Sequence, residues 1–257
     1  MYIHYCSLNN LYYGIVDIVD SALALSPYYA PTRKMRNVLA ETFYLFSKRH
    51  LPEVTRTLIR YGYPNLRNGE IKTFCEDLAA LMGGKESDDR ALWDVQQLIK
   101  SAGQHDEMPF LSNNTGLSLI DDYSVNYLSR LSLFKNSYHV FDNETFIKRI
   151  LDSYEILDGG KVCTRYRFEE STSDRFIQIS DVLVGLLAKL FTFLNDVDMY
   201  DMDEAVRGLT KRQKESLRLL DELYEKSDKK NRTLITSLNP PSEALKRGMF
   251  LSYAGAL

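Results

Sequence analysis

Apolar residues recur at a helical period through most of the chain, and in one stretch the period disappears because nearly every position is apolar. That stretch is Arg175 to Asn195, RFIQISDVLVGLLAKLFTFLN. From Phe176 to Leu194 no single wet face can be drawn, which predicts a core helix buried on most sides, capped by Ser173 or Asp174. Its exceptions, Gln178, Asp181 and Gly185, are spaced i, i+3, i+7 and share one stripe. A carboxylate on such a helix is costly to desolvate, so Asp181 is expected to pair with a cation, accept hydrogen bonds or bind a metal. Gly185 removes a side chain where another backbone or a ligand can approach.

The same patterning predicts the rest of the elements. Residues 1–6 suit a short strand, and a helix starts at Asn9 or Asn10 and runs to Ala24 with Leu11, Ile15, Ile18 and Val19 on its apolar side. Pro27 and Pro31 break the chain. Helices follow over Arg33–Arg49, over Glu53–Tyr61 with Pro52 in the first turn, and over Gly69–Met82. Gly83 and Gly84 stop the last of these, and Asp88 or Asp89 caps the next, through Ala102. Gln104 to Gly116, with Pro109 and Asn113-Asn114, reads as a loop, and a helical stretch from Leu117 to Leu133 opens on Asp121 and Asp122.

Tyr138 to Phe141 is the best strand, bounded by Asn136-Ser137 and Asp142-Asn143. A helix from Glu144 or Thr145 to Tyr154 comes next, then a tight turn at Asp158-Gly159-Gly160 and a second strand over Val162–Phe168. Strand, helix, strand favours parallel pairing, and sites in such sheets gather at the carboxyl ends of the strands, where Asp142 falls. Capping alone would also choose an Asp there, before Asn-Glu-Thr. Glu169-Glu170-Ser171 lies at the same end and reads as a polar loop. Past the apolar stretch, the acidic run from Asp196 to Glu204 lacks calcium-loop spacing. One long amphipathic helix is predicted over Met202–Asp228, and Ser242 caps a last short helix.

The boundaries that follow are a helical lobe at 1–110, an α/β core segment at 111–200 and a helical tail at 201–257. With 257 residues the chain can bury a sizeable core without staples. A net charge of -3 provides no overall basic field, so a nucleic-acid contact needs a local patch. The basic residues between Arg33 and Arg60 are dense enough to supply one, or are ordinary helix surface. Three scattered cysteines, Cys6, Cys75 and Cys163, fit neither a disulfide framework nor a zinc site and point to a reducing cytoplasm. Gln178, Asp181 and Lys189 argue that the long apolar stretch is soluble core, so no membrane is expected. Asp17 and Asp20 are a solvated pair or a further acid for the Asp181 site, and His139 is a packed residue.

Two pieces carry a family resemblance: IQISDVLVG within the apolar stretch, and SYHVFDNE, Ser137 to Glu144. Together they resemble a bacterial and phage family of unknown function whose members are similar to ribonuclease H-like nucleases and open on an Asp-Glu-Ser strand. The likeness spans Ser137 to Leu194. It implies a predominantly helical α/β fold with a partial ribonuclease H-like core, an added helical lobe and C-terminal helices. By the matching motifs, Asp142 and Asp181 are the implied catalytic residues, and Asp142, Asp181 and Glu144 the implied ligands of Mg2+ or Mn2+.

Such acids serve two-metal phosphodiester cleavage, which needs a third or fourth carboxylate. The Asp-Glu-Ser triplet is absent from this chain. A truncated gene product, a degenerate strand at residues 1–6, or a protein partner or second copy completing the sheet would each account for that. The expectation is a divalent-metal-dependent nuclease acting on nucleic acid, by resemblance in phage defence or a mobile element. The alternative is a non-catalytic protein-interaction component with a degenerate nuclease-like core.

Overall fold

The computed structural model describes residues 1–26, 32–67, 69–83, 89–112, 116, 118–120 and 122–256. Expectations placed on Pro27 and Pro31, Gly84, Asp88, Asn113-Asn114, Leu117 and Asp121 lie outside these residues. The chain is predominantly helical, with eleven α-helices and six short strands in two-stranded pairs among the described residues. It divides into two compact units, Cys6–Leu119 with Thr236–Ser252, and Met1–Tyr5 with Ile120–Ile235 and Tyr253–Leu257. This differs from a sequential lobe, core segment and tail, because the stretch after residue 200 is shared between the units.

The first unit holds α1 (Asn10–Leu25), α2 (Arg33–Arg49), α3 (Leu51–Arg60), α4 (Ile71–Met82) and α5 (Arg90–Ala102). Helix α1 packs against α2 and α5, and α5 against α4, around one core that includes Ile15, Ile18, Phe43, Phe46, Phe74, Leu78, Leu98 and Ile99. Helix starts follow side-chain capping. Asn9 accepts from the Tyr12 amide at 3.0 Å, Thr32 from Met35 at 3.2 Å, and Asp89 from Ala91 and Leu92 at 2.9 and 3.2 Å. Strand β1 (Tyr5–Leu8) pairs with β6 (Ile235–Leu238), a strand the hydrophobic pattern did not predict.

After β6 the chain enters α11 (Pro241–Ala256). In its first turn Glu243 accepts from the Tyr44 hydroxyl at 3.2 Å and from Lys48 at 2.9 Å, while the Ser242 amide donates to Glu41 at 3.3 Å. These bonds place the C-terminal segment in the N-terminal helical unit.

The second unit contains α6 (Ser124–Leu133), β2 (His139–Asp142), α7 (Thr145–Leu151), β3 (Leu157–Asp158), β4 (Lys161–Val162) and β5 (Tyr166–Glu169). It continues through α8 (Arg175–Asp196), α9 (Met202–Arg207) and α10 (Lys211–Lys230). Strands β3 and β4 form a hairpin whose turn places Gly159 and Gly160 at φ of 59° and 80°, a region L side chains avoid. The expected strand over Val162–Phe168 is therefore two: its start belongs to the hairpin and its end to β5.

The helix expected over Met202–Asp228 is also two. Gly208 ends α9, and Thr210 opens α10 with a capping box in which Thr210 and Gln213 each bond the other's backbone amide. Leu209 falls in the break. The buried apolar residues of this unit are few and scattered, among them Leu131, Ile147, Leu151, Leu187, Leu190, Leu194 and Val206.

Asp20 is held by Arg36 through two bonds of 2.6 and 2.8 Å. Asp17 is half-buried beside it, and desolvation, followed by repulsion from Asp20, pushes its pKa up to about 6. The native state therefore holds more protons than the unfolded chain between pH 3.8 and about 6, and stability falls as pH rises through that window. Asp17→Asn is expected to stabilise the fold at pH 7 by about 1 kcal/mol, a value reduced for solvent screening. Urea denaturation at neutral pH should show the gain, and it should vanish near pH 4.

Candidate functional site

Strands β2 and β5 pair in parallel, with His139 opposite Tyr166, Val140 opposite Arg167, Phe141 opposite Phe168 and Asp142 opposite Glu169. The side-chain alternation of a strand then separates two faces. One carries His139, Phe141, Tyr166 and Phe168, with Tyr127 of α6 laid against Phe141 at a centroid distance of 4.9 Å. Phe141 and Phe168 pack at 5.8 Å. Burial, then the nearby Glu144 and Asp142 carboxylates, push the Tyr127 phenol pKa upward.

The other face carries Val140, Asp142, Arg167 and Glu169. Asp142 and Glu169 are thus cross-strand neighbours on one face, at the carboxyl ends of two parallel strands. Sequence reasoning placed Asp142 there and left Glu169 in a polar loop. The signal for Glu169 is register, which only pairing reveals.

Each carboxylate is engaged within its own chain. Asp142 accepts from the Asn143 amide at 2.9 Å, so it caps neither α7 nor any other helix. The N-cap position of α7 is Glu144, which is exposed and makes no capping bond through its side chain. Glu169 accepts from the Ser173 hydroxyl at 3.0 Å and from Arg167 at 3.3 Å, and the Asn143 amide group donates to Glu170. The Arg167 guanidinium also lies 4.0 Å from Asp174 and 5.7 Å from the Tyr138 ring centre. A cation of the chain already stands among the acids at this end of the sheet. Among the described residues, no group of three or more His, Cys, Asp or Glu side chains is disposed to hold a metal ion.

Asp181 has a different setting from the one its neighbours in sequence predict. Asp174 starts α8 by accepting from the Phe176 and Ile177 amides at 2.8 and 3.3 Å. The helix then turns only one side inward, burying Ile177, Leu187, Leu190 and Leu194. Phe176 is 78% exposed and Val182 74%, and Ile179, Val184, Leu186 and Phe193 are exposed as well. The expectation of a helix buried on most sides is therefore corrected: apolar composition all round signals a need for cover, and this unit supplies cover to one face. Asp181 lies on the exposed part of the helix and has no hydrogen-bond or ion-pair partner among the described residues. Gln178 donates to the Ser171 carbonyl at 2.7 Å. By length and composition α8 is also the one helix among the described residues able to cross a membrane.

The remaining candidates disperse. Asp17 and Asp20 belong to the first unit and Asp181 to the second. His139 makes a 3.2 Å bond to the Phe134 carbonyl, and His4 packs edge-on against Phe134 at 4.8 Å. Burial, then Arg130 and His139, lower the His4 pKa to about 4, so its imidazole is neutral at pH 7. Of the basic residues before position 62, Arg36, Lys48 and Arg60 are each paired with a carboxylate. That pairing reduces the field they offer a polynucleotide. Comparison with protein-family models, with curated proteins and with solved structures yields no match.

Proposed function

We propose that this chain is a non-catalytic association component that retains part of a ribonuclease H-like α/β core, with the outward face of α8 as its docking surface. The observation that carries this reading is the exposure of a 22-residue apolar helix, of whose apolar window only 17% is buried. Exposed contiguous apolar surface on this scale marks an interaction site. A membrane is the less favoured occupant. Asp181 and Lys189 would both enter the hydrocarbon at a cost of about 2.5–3.5 kcal/mol each, and spanning would pull Leu187, Leu190 and Leu194 out of their own unit. The cytoplasmic setting rests on the three scattered cysteines, and the link to phage defence or a mobile element on the family resemblance.

A second reading, a Mg2+- or Mn2+-dependent nuclease acting on nucleic acid, is favoured by one observation, the register that sets Asp142 beside Glu169. The residues present do not fit a divalent ion by themselves. Two carboxylates can hold a hydrated ion, but here Asp142 is bonded to the Asn143 amide and Glu169 to Arg167 and Ser173. Two-metal cleavage would in addition need a third or fourth carboxylate, from Asp181 or a residue of another chain.

Two measurements separate the readings. Manganese calorimetry on the intact chain is expected to show no binding, whereas binding that Asp142→Asn or Glu169→Gln abolishes would move the conclusion to the nuclease. Anilinonaphthalene sulfonate fluorescence, read at about 1 µM protein, is expected to rise with the wild type and to fall severalfold with Val182→Glu/Leu186→Glu. An equally low signal from both, with the wild type monomeric at that concentration by sedimentation, would mean that α8 is covered within its own chain and would overturn the docking reading.

A further inference from the structure

The occupant of the α8 face can be named from the face itself, given the docking reading above. Successive residues of a helix turn by about 100°, so Asp181, Gly185, Gln178, Lys189 and Thr192 fall within one quadrant. That quadrant is centred opposite Leu187, Leu190 and Leu194, three of the four residues that bury the helix; the fourth, Ile177 in the first turn, lies beside the quadrant next to Asp181. From Asp181 to Thr192 it is therefore the side of α8 turned furthest from its own unit.

The order of residues on this side is symmetric in kind about Gly185. Gln178 and Asp181 lie seven and four residues before it, and Lys189 and Thr192 lie four and seven residues after it. Laid parallel, two such helices in register would set like charges side by side. Laid antiparallel across a two-fold axis at Gly185, they set Asp181 of each copy level with Lys189 of the other, and Gln178 level with Thr192. The rise of about 1.5 Å per residue puts both ion pairs about 6 Å from the axis, one on each side.

Three observations fit this arrangement. Asp181 and Lys189 are exposed and have no hydrogen-bond or ion-pair partner among the described residues. A Cβ at Gly185 would meet nothing within 4 Å, so packing inside the chain gives no reason for a glycine there, whereas a close crossing of two helices does. Val182, Leu186 and Phe193 run along the side of the quadrant at 74%, 45% and 40% exposure and supply the apolar area that ion pairs alone do not.

We infer that the chain forms a two-fold symmetric homodimer in which α8 packs antiparallel on α8 of a second copy, crossing at Gly185, with reciprocal Asp181–Lys189 pairs. Such an interface is isologous: each residue meets its counterpart's partner, and the assembly closes at two.

The test is sedimentation equilibrium on the full chain from about 1 to about 200 µM, with charge-reversal variants. The wild type is expected to dimerise. Asp181→Lys and Lys189→Asp each set two like-charge contacts and are expected to weaken dimerisation at least about tenfold, while the double variant Asp181→Lys/Lys189→Asp restores it to within about threefold. Gly185→Leu is expected to yield a monomer with unchanged helical circular dichroism. A wild type that stays monomeric at about 200 µM, or singles and double that behave alike, would overturn the dimer. If the monomer still binds the fluorescent dye, the docking reading stands with a different occupant. Co-sedimentation of that monomer with phosphatidylcholine vesicles would identify the occupant as a lipid surface and likewise overturn the second copy.

Discussion

The parallel register between β2 and β5 is the constraint on which the second unit depends. Parallel strands cannot be joined by a tight turn, so the chain must leave the end of β2 and return to the start of β5 through α7 and the β3–β4 hairpin. The same register sets Phe141 beside Phe168 in a tilted contact against Tyr127 and brings Asp142 beside Glu169. It also fixes where α8 begins, since only the short turn after Glu169 separates β5 from the Asp174 cap. A change of one residue in that pairing would exchange the aromatic and acidic faces.

The two units are stabilised differently. In the first, aromatic and aliphatic side chains from five helices close into one core, and polar residues at its margin tie the C-terminal helix to α2. In the second, buried residues are thinly spread, and most of α8, along with Tyr138, Phe146, Leu157 and Val162, stays in contact with solvent. Two strands of a parallel sheet with open edges are an unusual end point, because parallel sheets are ordinarily covered on both faces. The unit with the parallel strand pair is thus also the one that leaves a long apolar helix largely uncovered. Asp142 and Glu169 are bonded to Asn143, Arg167 and Ser173, while the unit's longest apolar helix is left with a free side.

The local rules were legible in the sequence. Helix starts at Asn9, Asp89 and Asp174 follow from short polar side chains that satisfy free amides, and the helix over Arg33–Arg49 follows from its apolar period. Parallel pairing of the strands on either side of α7 follows from their order and from the length of chain between them. The break at Gly208 to Thr210 was written in a glycine and a capping box, but the leucine period running across it concealed the stop. Strand β6 had no period of its own, because four residues beside a partner from the other end of the chain carry too little pattern.

The tertiary structure decided what surrounds each side chain. Residue order alone determined that α8 is apolar on nearly every side and that Gln178, Asp181 and Gly185 share one stripe. It did not determine which side would be covered, because cover is a property of the residues brought against the helix and these are distant in sequence. Likewise Asp142 could be placed at a strand end from its local sequence, whereas Glu169 became its neighbour only through the ladder. Periodicity is a property of a segment, and burial and convergence are properties of pairs of segments. For this protein the first was readable from residue order, and the second required the fold.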